Sequence, residues 1–275
     1  MIDKLFKGMK IIIKFDNMKS VYFLSVFSAL LIFFSGCRVE SGEGDIISEF
    51  REVKDFTKIN LTTAADVEIF KGVNLTVEVS DYENILKHII VETENDKLII
   101  KTKPNNLVMR NSKAKVIITL PDDLTDIELS GSGKINVIDS FSKIRYIFIS
   151  GSGSVGLPSA YFSSDLNVKI SGSGSVTIED SEFKDNVYAE ISGSGNIEVS
   201  GTAREVHTKI PGSGHILFGD LLVKNATSAI SGSGNTTVYP LNQLNASISG
   251  SGNIYYYGNP NVIATVTGSG RVVKK

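Results

Sequence analysis

The chain has few of the residues that usually carry catalytic or metal chemistry. Its 275 residues include one cysteine, three histidines and no tryptophan. A single cysteine excludes an internal disulfide. None of His88, His207 and His215 has a second histidine or a cysteine at the spacing of a metal site, so we expect neither a metal nor a cofactor. A Ser-His-Asp arrangement and stacked carboxylates are also missing, which favours a protein that is not an enzyme.

An excess of either charge is missing as well. Lysine and arginine number 28, against 30 aspartates and glutamates. Residues 1–36 hold five basic and two acidic residues, which leaves 23 basic and 28 acidic residues in the rest, a formal charge of −5. A mildly acidic surface without basic clusters argues against nucleic acid as a partner. One turn collects Glu179, Asp180, Glu182 and Asp185, where a solvated acidic surface is favoured over a calcium site.

The chain has only one long apolar run, at residues 21–34. Fourteen residues are too few for a comfortable membrane span and are typical of the apolar part of a secretion signal. The run ends at Ser35-Gly36-Cys37, which resembles the lipobox of bacterial lipoproteins, where the cysteine is lipidated. Phe34 departs from the leucine that is usual in that box. The sequence therefore predicts lipidation of Cys37 and a membrane partner reached through this anchor.

These features predict a division of the chain into three parts. We expect a signal peptide at residues 1–36, with Met18 as an alternative start, and a polar tether at residues 37–55. One elongated domain is expected to follow at residues 56–275.

Glycine, in contrast, is abundant, and its placement is regular. Sixteen of the 25 glycines belong to a tetrapeptide, Ser-Gly-Ser-Gly or a close relative, that recurs in steps of 18 to 21 residues. A repeat of this length is typical of a solenoid. The eight copies occupy residues 130–133, 150–153, 171–174, 192–195, 211–214, 231–234, 249–252 and 267–270.

Apolar residues alternate with polar ones on both sides of the tetrapeptide. Leu166, Val168 and Ile170 precede one copy, and Val176 and Ile178 follow it, which is typical of half-buried strands. The same parity places the glycines inward and the serines outward.

The sequence allows three explanations of an inward glycine. The wall pinches at that point, a large side chain crosses from the opposite wall, or the glycine supplies a bend with positive φ. Candidate large side chains recur about nine residues before the next copy, at Phe141, Phe162, Phe183 and Leu222.

The expected fold is all-β, a right-handed parallel β-helix, or solenoid, with about eight Ser-Gly-Ser-Gly coils and a strand-rich N-terminal region. Tyr82 to Ile89 is expected to form one short helix covering the end of the solenoid. Strands are predicted before the repeats at Ala65–Phe70, Leu75–Val79, Lys97–Thr102 and Lys115–Leu120.

The chain from about residue 56 to 272 resembles the bacterial family described as putative auto-transporter adhesin, head GIN domain. The resemblance rests on the opening Thr63-Ala64-Ala65-Asp66-Val67-Glu68-Ile69, the eight tetrapeptides and the late Tyr257-Gly258-Asn259-Pro260. Pro211 and Thr267 depart from the first serine of their tetrapeptides. The resemblance implies a β-solenoid that is exported, often as a lipoprotein, in Gram-negative envelopes such as those of Bacteroidota.

We therefore expect a non-catalytic lipoprotein of the cell envelope, most readily of the outer membrane, with an adhesin-like binding role. The expected ligand is a glycan or a protein. One alternative is a structural scaffold that self-associates end to end as a homo-oligomer, and another is a β-helix carbohydrate-active enzyme. The candidate binding face contains Ser173, Ser194, Ser233, Asn235, Asn253, Tyr255 and Tyr257.

Overall fold

The computed structural model describes residues 38–103 and 107–275. The predicted signal peptide and Cys37 lie outside the described residues. The chain divides into two units, residues 1–39 with 106–108 and residues 40–105 with 109–275. The description below concerns the second unit, apart from a two-stranded sheet of β1 (Arg38–Ser41) and β8 (Leu107–Arg110).

All remaining strands belong to one large sheet system, and the only described helix is α1 (Glu83–Leu86). The strands before the repeats are β2 (Ile46–Phe50), β3 (Lys58–Leu61), β4 (Asp66–Lys71), β5 (Thr76–Tyr82), β6 (Ile89–Glu94), β7 (Lys97–Thr102) and β9 (Lys115–Leu120). The strands of the repeats are β10 (Asp126–Leu129), β11 (Lys134–Val137), β12 (Tyr146–Ile149), β13 (Ser154–Leu157), β14 (Tyr161–Phe162), β15 (Leu166–Ile170), β16 (Ser175–Phe183), β17 (Asn186–Ile191), β18 (Asn196–Ile210), β19 (His215–Ile230), β20 (Asn235–Ile248), β21 (Ile254–Tyr256), β22 (Asn261–Val266) and β23 (Val272–Lys274).

The repeats form a parallel β-solenoid of about seven turns between residues 126 and 274. Strands before each tetrapeptide make the first stack, in which Ile147 pairs with Val168 and Val168 with Ala189. Strands after each tetrapeptide make the second stack, in which Val155 pairs with Val176. Short segments such as β14 and the end of β16 form a third side. The predicted all-β solenoid is thus confirmed.

The interior follows the predicted parity. Phe141, Phe162 and Phe183 are buried, and the rings of Phe162 and Phe183 stack with their centroids 4.6 Å apart. The prediction that Leu222 fills the interior is wrong, because its side chain is 40% exposed while Leu221 is fully buried. A register shift between β19 and β20 lies at this point, so counting from the tetrapeptide does not give the correct side of the strand.

The tetrapeptide glycines are required by the neighbouring coil. A Cβ at Gly172 would overlap the carbonyl oxygen of Gly151, and a Cβ at Gly174 would overlap that of Gly153 and lie 2.7 Å from Ile149 Cγ2. No tetrapeptide glycine is among the described residues with positive φ. The bend explanation is therefore wrong, and the cause is close approach of the preceding coil rather than a side chain from the opposite wall.

The N-terminal end of the solenoid continues into antiparallel strands. β7 and β9 lie beside β3 and β4, on the side opposite to β10 and β11. Antiparallel β6 then covers β7, while β5 covers β9 and β2 covers β5. Part of the segment predicted to be a tether therefore lies within the sheet, as β2. The helix α1, shorter than predicted, buries Ile85 and Leu86 at this end.

Candidate functional site

The serines of the tetrapeptides form exposed columns at one corner of the solenoid. Each corner joins a strand of the first stack to a strand of the second, and each serine side chain alternates with an inward glycine. We call the second serines of the eight copies the serine column. They are all exposed and comprise Ser132, Ser152, Ser173, Ser194, Ser213, Ser233, Ser251 and Ser269.

A ladder of amide hydrogen bonds runs beside the serine column at the start of the second stack. The backbone nitrogen and Nδ2 of Asn253 donate to Oδ1 of Asn235 at 2.9 and 3.2 Å. The backbone nitrogen of Arg271 donates to Oδ1 of Asn253 at 3.0 Å. The structure therefore brings Asn235 and Asn253 together, but it uses an acceptor of each to hold successive coils.

The two candidate tyrosines lie in different surroundings. Tyr255 is on the outer face of β21, with Nζ of Lys275 at 4.7 Å from its ring centroid. Tyr257 follows that strand and packs against Tyr239, with ring centroids 5.7 Å apart. Both side chains are half-buried, so only part of each ring is available as a contact surface.

A second surface was not expected from the sequence, a shallow cavity on the outer face of the first stack. Its volume is about 380 Å³, within the range of small-molecule sites. It spans neighbouring strands from β12 to β19, and we call it the side groove. The residues used below are Tyr146, Asn167, Lys169, Tyr188, Glu190, His207 and Lys209.

The side groove has an aromatic side and a charged side. Tyr146, Asn167, Tyr188 and His207 occupy equivalent positions on successive coils, four residues before each tetrapeptide. The Tyr188 and His207 rings stack with centroids 4.8 Å apart and planes 9° apart.

The charged side lies two residues closer to the tetrapeptides and contains Lys169, Glu190 and Lys209. Nζ of Lys209 donates to Glu190 Oε1 at 3.2 Å, and Nζ of Lys169 lies 3.4 Å from Glu190 Oε2. Desolvation acts to raise the pKa of Glu190, but the hydrogen bonds and charges of the two lysines outweigh it and lower the pKa below its ordinary value. Glu190 is therefore a carboxylate at neutral pH.

The sequence contained a signal for this groove. Aligning the outward residues that precede the tetrapeptides places two tyrosines and a histidine in one column, and a Lys-Glu-Lys series in the next. The positions directly after the tetrapeptides, from Lys134 to Arg271, have no such concentration.

A metal-binding cluster and a membrane-spanning helix are both absent from the described residues. Within 38–103 and 107–275, no group of three or more His, Cys, Asp or Glu side chains is placed to hold a metal ion, and this includes the acidic turn around Asp180. In the same ranges no helix has both the length and the apolar character needed to cross a membrane.

One family model and several solved structures match this chain. A family model described as "Putative auto-transporter adhesin, head GIN domain" matches residues 55–260. No curated protein matches the chain.

Several solved structures share the fold. A "Putative lipid binding protein" from Parabacteroides distasonis is 27% identical, with a TM-score of 0.79, and the alignment covers 86% of this chain and 100% of that one. A "putative adhesin" from Parabacteroides merdae is 22% identical, with a TM-score of 0.75 and coverages of 86% and 99%. A "putative adhesin" from Bacteroides fragilis is 21% identical, with a TM-score of 0.65 and coverages of 86% and 100%.

Proposed function

The chain belongs to the family described as putative auto-transporter adhesin, head GIN domain, and from this premise we propose that it is a non-catalytic binding module of the cell envelope. The observation that supports the proposal is the serine column, an array of exposed hydroxyls on stacked parallel coils. Repeated identical groups at a fixed spacing suit an extended ligand, because each contact is weak and several act together. The binding face consists of Ser173, Ser194, Ser233, Asn235, Asn253, Tyr255 and Tyr257.

The binding face can be tested with substitutions on the serine column. Purified protein is assayed against immobilised glycans and matrix proteins, before and after a combined change of Ser173, Ser194 and Ser233 to Lys. We expect the triple variant to lose capture, because long side chains cover the hydroxyls. Ser140→Lys, at an exposed position outside the column, is the matched control. Unchanged capture by the triple variant, or turnover of a glycan by the unmodified protein, would contradict the proposal.

A lipid on Cys37 would hold this module to the membrane, most readily to the outer membrane. The support is the sequence of residues 21–37, in which the only cysteine of the chain directly follows an apolar run and two small residues. The first described strand, β1, begins directly after this cysteine, at Arg38.

Replacement of the cysteine tests the anchor. In cells, Cys37→Ser is expected to abolish incorporation of labelled fatty acid and to move the protein out of the lipid-anchored membrane fraction, with the solenoid intact. Ser35→Thr, which keeps the cysteine, is the control. A Cys37→Ser protein that still incorporates fatty acid would show that the anchor is elsewhere.

Self-association is the second candidate function, favoured by one observation. The last two strands carry exposed Ile263, Val266 and Val273, and each strand pairs with only one other among the described residues. Unpaired strand edges with apolar side chains favour pairing with another chain. At the N-terminal end β2 and β6 also pair with only one other strand each among the described residues, so end-to-end association can give a dimer or a filament, and concentration-dependent sedimentation distinguishes the two.

A further inference from the structure

The side groove contains two tyrosines with a shorter residue on the coil between them. Tyr146 and Tyr188 occupy equivalent positions two coils apart, with the shorter Asn167 on the coil between them. Coils stack at about 4.8 Å, so the two tyrosine positions are separated by about 9–10 Å. A separation of this size leaves room for one ring between them, stacked against either aromatic side chain.

Tyr188 is held in place before any ligand arrives. His207 stacks on one side of its ring, and Asn186 Nδ2 donates to the Tyr188 hydroxyl at 3.4 Å. Because His207 is on the next coil in one direction, the other face of the Tyr188 ring is turned toward the coil of Asn167. An aromatic surface fixed in advance loses little conformational entropy when it binds a ligand.

The charged side of the groove supplies directional hydrogen bonds beside this gap. Lys169 and Lys209 share the carboxylate of Glu190, and each ammonium has further donors. The three side chains are between 31% and 63% exposed, so they can reach a ligand without further burial. The side groove therefore combines an apolar stacking face with fixed donors and an acceptor.

We propose that the side groove binds the terminal pyranose ring of a neutral glycan, inserted above Asn167 between Tyr146 and Tyr188. A pyranose has an apolar C–H face and a rim of hydroxyls, which match the aromatic gap and the Lys-Glu-Lys side in turn. This inference goes beyond the proposed function, because it places a ligand of stated chemistry on a face that the serine column does not include.

Other occupants fit the groove less well. An acyl chain would cover Lys169, Glu190 and Lys209 without offering hydrogen bonds in return, which is costly for charged groups. A peptide strand needs an unpaired sheet edge, whereas β15 and β17 are paired on both sides. A strongly anionic glycan would meet the carboxylate of Glu190 between the two lysines. A neutral sugar satisfies all three groups.

The experiment uses the full chain in detergent and saturation-transfer NMR with four probes: the methyl glycosides of β-glucose, β-galactose, β-N-acetylglucosamine and α-mannose. We expect at least one to bind, with the strongest transfer to protons on one face of its ring. Tyr188→Ala should weaken that binding about tenfold, because the stacked face is lost. Asn167→Phe should abolish it by filling the gap.

Tyr161→Ala is the matched control, since Tyr161 is a 45% exposed tyrosine on the third side of the solenoid. It should leave the affinity unchanged, and circular dichroism and unfolding midpoints verify that each variant folds. Binding of none of the four glycosides, or unchanged binding in Asn167→Phe, overturns the inference. Binding of oleate at Tyr188 without any glycoside also overturns it and assigns the groove to an acyl chain.

The outcome is separable from that of the proposed function. If the Lys substitutions in the serine column abolish capture of immobilised ligands while no glycoside binds the groove, only this inference fails. If glycosides bind and the serine-column variant still captures immobilised ligands, the proposed binding face is wrong and the inference about the side groove stands.

Discussion

The N-terminal region, residues 46–120, and the repeat region, residues 126–274, build the same two stacks with different corners. In the repeat region every corner carries two glycines. In the N-terminal region the equivalent corner is Thr63-Ala64-Ala65, where Thr63 and Ala65 are buried and keep their side chains. The first repeat packs directly on this corner, because a Cβ at Gly131 or Gly133 would overlap the carbonyl oxygens of Thr63 and Ala65.

The difference follows from what lies beneath each corner. Each repeat corner stacks on a tight corner of the coil before it, so its inward Cβ would meet a carbonyl oxygen. Beneath Thr63 and Ala65, β7 ends at Thr102 and β9 begins at Lys115, so twelve residues separate these strands instead of a tetrapeptide. The side chains of Thr63 and Ala65 fit there. A tetrapeptide glycine in this solenoid is therefore required by its neighbouring coil and not by its own backbone angles.

Polar interactions differ between the regions as well. The N-terminal region depends on single groups, such as the fully buried Asp81, whose Oδ1 accepts from the backbone nitrogen of Lys113 and whose Oδ2 accepts from Ser112 Oγ. In the repeat region, hydrogen bonds that hold the backbone are instead spread over successive coils, as in the Asn235–Asn253 ladder. Loss of one group should therefore cost more in the N-terminal region than in the ladder.

The largest effect is expected from placing a side chain at a repeat corner. In Gly195→Ala the new methyl group meets the carbonyl oxygen of Gly174, which belongs to a backbone that cannot move alone. We expect a loss of about 3 kcal/mol or more in the free energy of unfolding, measured with urea. The matched change in the other region, Ala65→Gly, removes a side chain where one fits and should cost about 1 kcal/mol. Equal costs at the two corners would remove the distinction drawn between them.

The next effect tests the register within a repeat. Val176→Ser removes buried apolar surface and adds an unpaired hydroxyl, which should cost about 2–3 kcal/mol. Ser173→Val, at the exposed serine column, should stay within about 0.5 kcal/mol. Thermal unfolding of both variants gives the comparison. A large loss of stability in Ser173→Val together with a small loss in Val176→Ser would mean that the serines point into the interior.

A somewhat smaller effect is expected at Asp81. Asp81→Ala leaves the Lys113 and Tyr82 backbone nitrogens and the Ser112 hydroxyl without their acceptor, at a cost of about 2 kcal/mol. Asp81→Asn keeps the shape and one acceptor oxygen and should cost about 1 kcal/mol. Asn253→Ala in the ladder is the comparison, expected at about 1 kcal/mol or less. Chemical unfolding measures the free energy of unfolding of all three variants. A larger loss in Asn253→Ala than in Asp81→Ala would contradict the contrast between the two regions.

The smallest effect concerns pH. The lysines that flank Glu190 lower its folded pKa below the ordinary value of 4.5, so its stabilising contribution is present above that value. The contribution is lost as the pH falls from about 4.5 through the lower folded pKa. Glu190→Gln should therefore show a shallower loss of stability in acid than the unmodified chain, measured by unfolding midpoints from neutral pH downward. Parallel curves of unfolding midpoint against pH would mean that the interaction of Glu190 with the two lysines contributes nothing to stability.

Local pattern was enough to predict the strands but not their neighbours. Lys97–Thr102 and Lys115–Leu120 are strands with the predicted bounds, because alternation along a strand depends on which face is buried. Alternation does not say which strand pairs with which. The placement of β7 and β9 on the far side of β3 and β4 could therefore not be predicted.

The misplacement of Leu222 has a similar cause. The register shifts within β19, so alternation counted from the glycines gives the wrong side for that residue. For the candidate surfaces, the serine column follows directly from alternation, whereas the side groove needed the residues before the tetrapeptides to be compared across coils.

The contact between glycine and carbonyl oxygen also bears on how such a chain can change its length. Each corner meets only the corners directly before and after it, and the surfaces that meet are nearly identical from coil to coil. A gene that duplicates one whole coil in frame, for example residues 213–232, inserts a layer whose contacts already exist on both sides. The protein grows by about 4.8 Å per added coil, so its length can evolve by copying rather than by redesign.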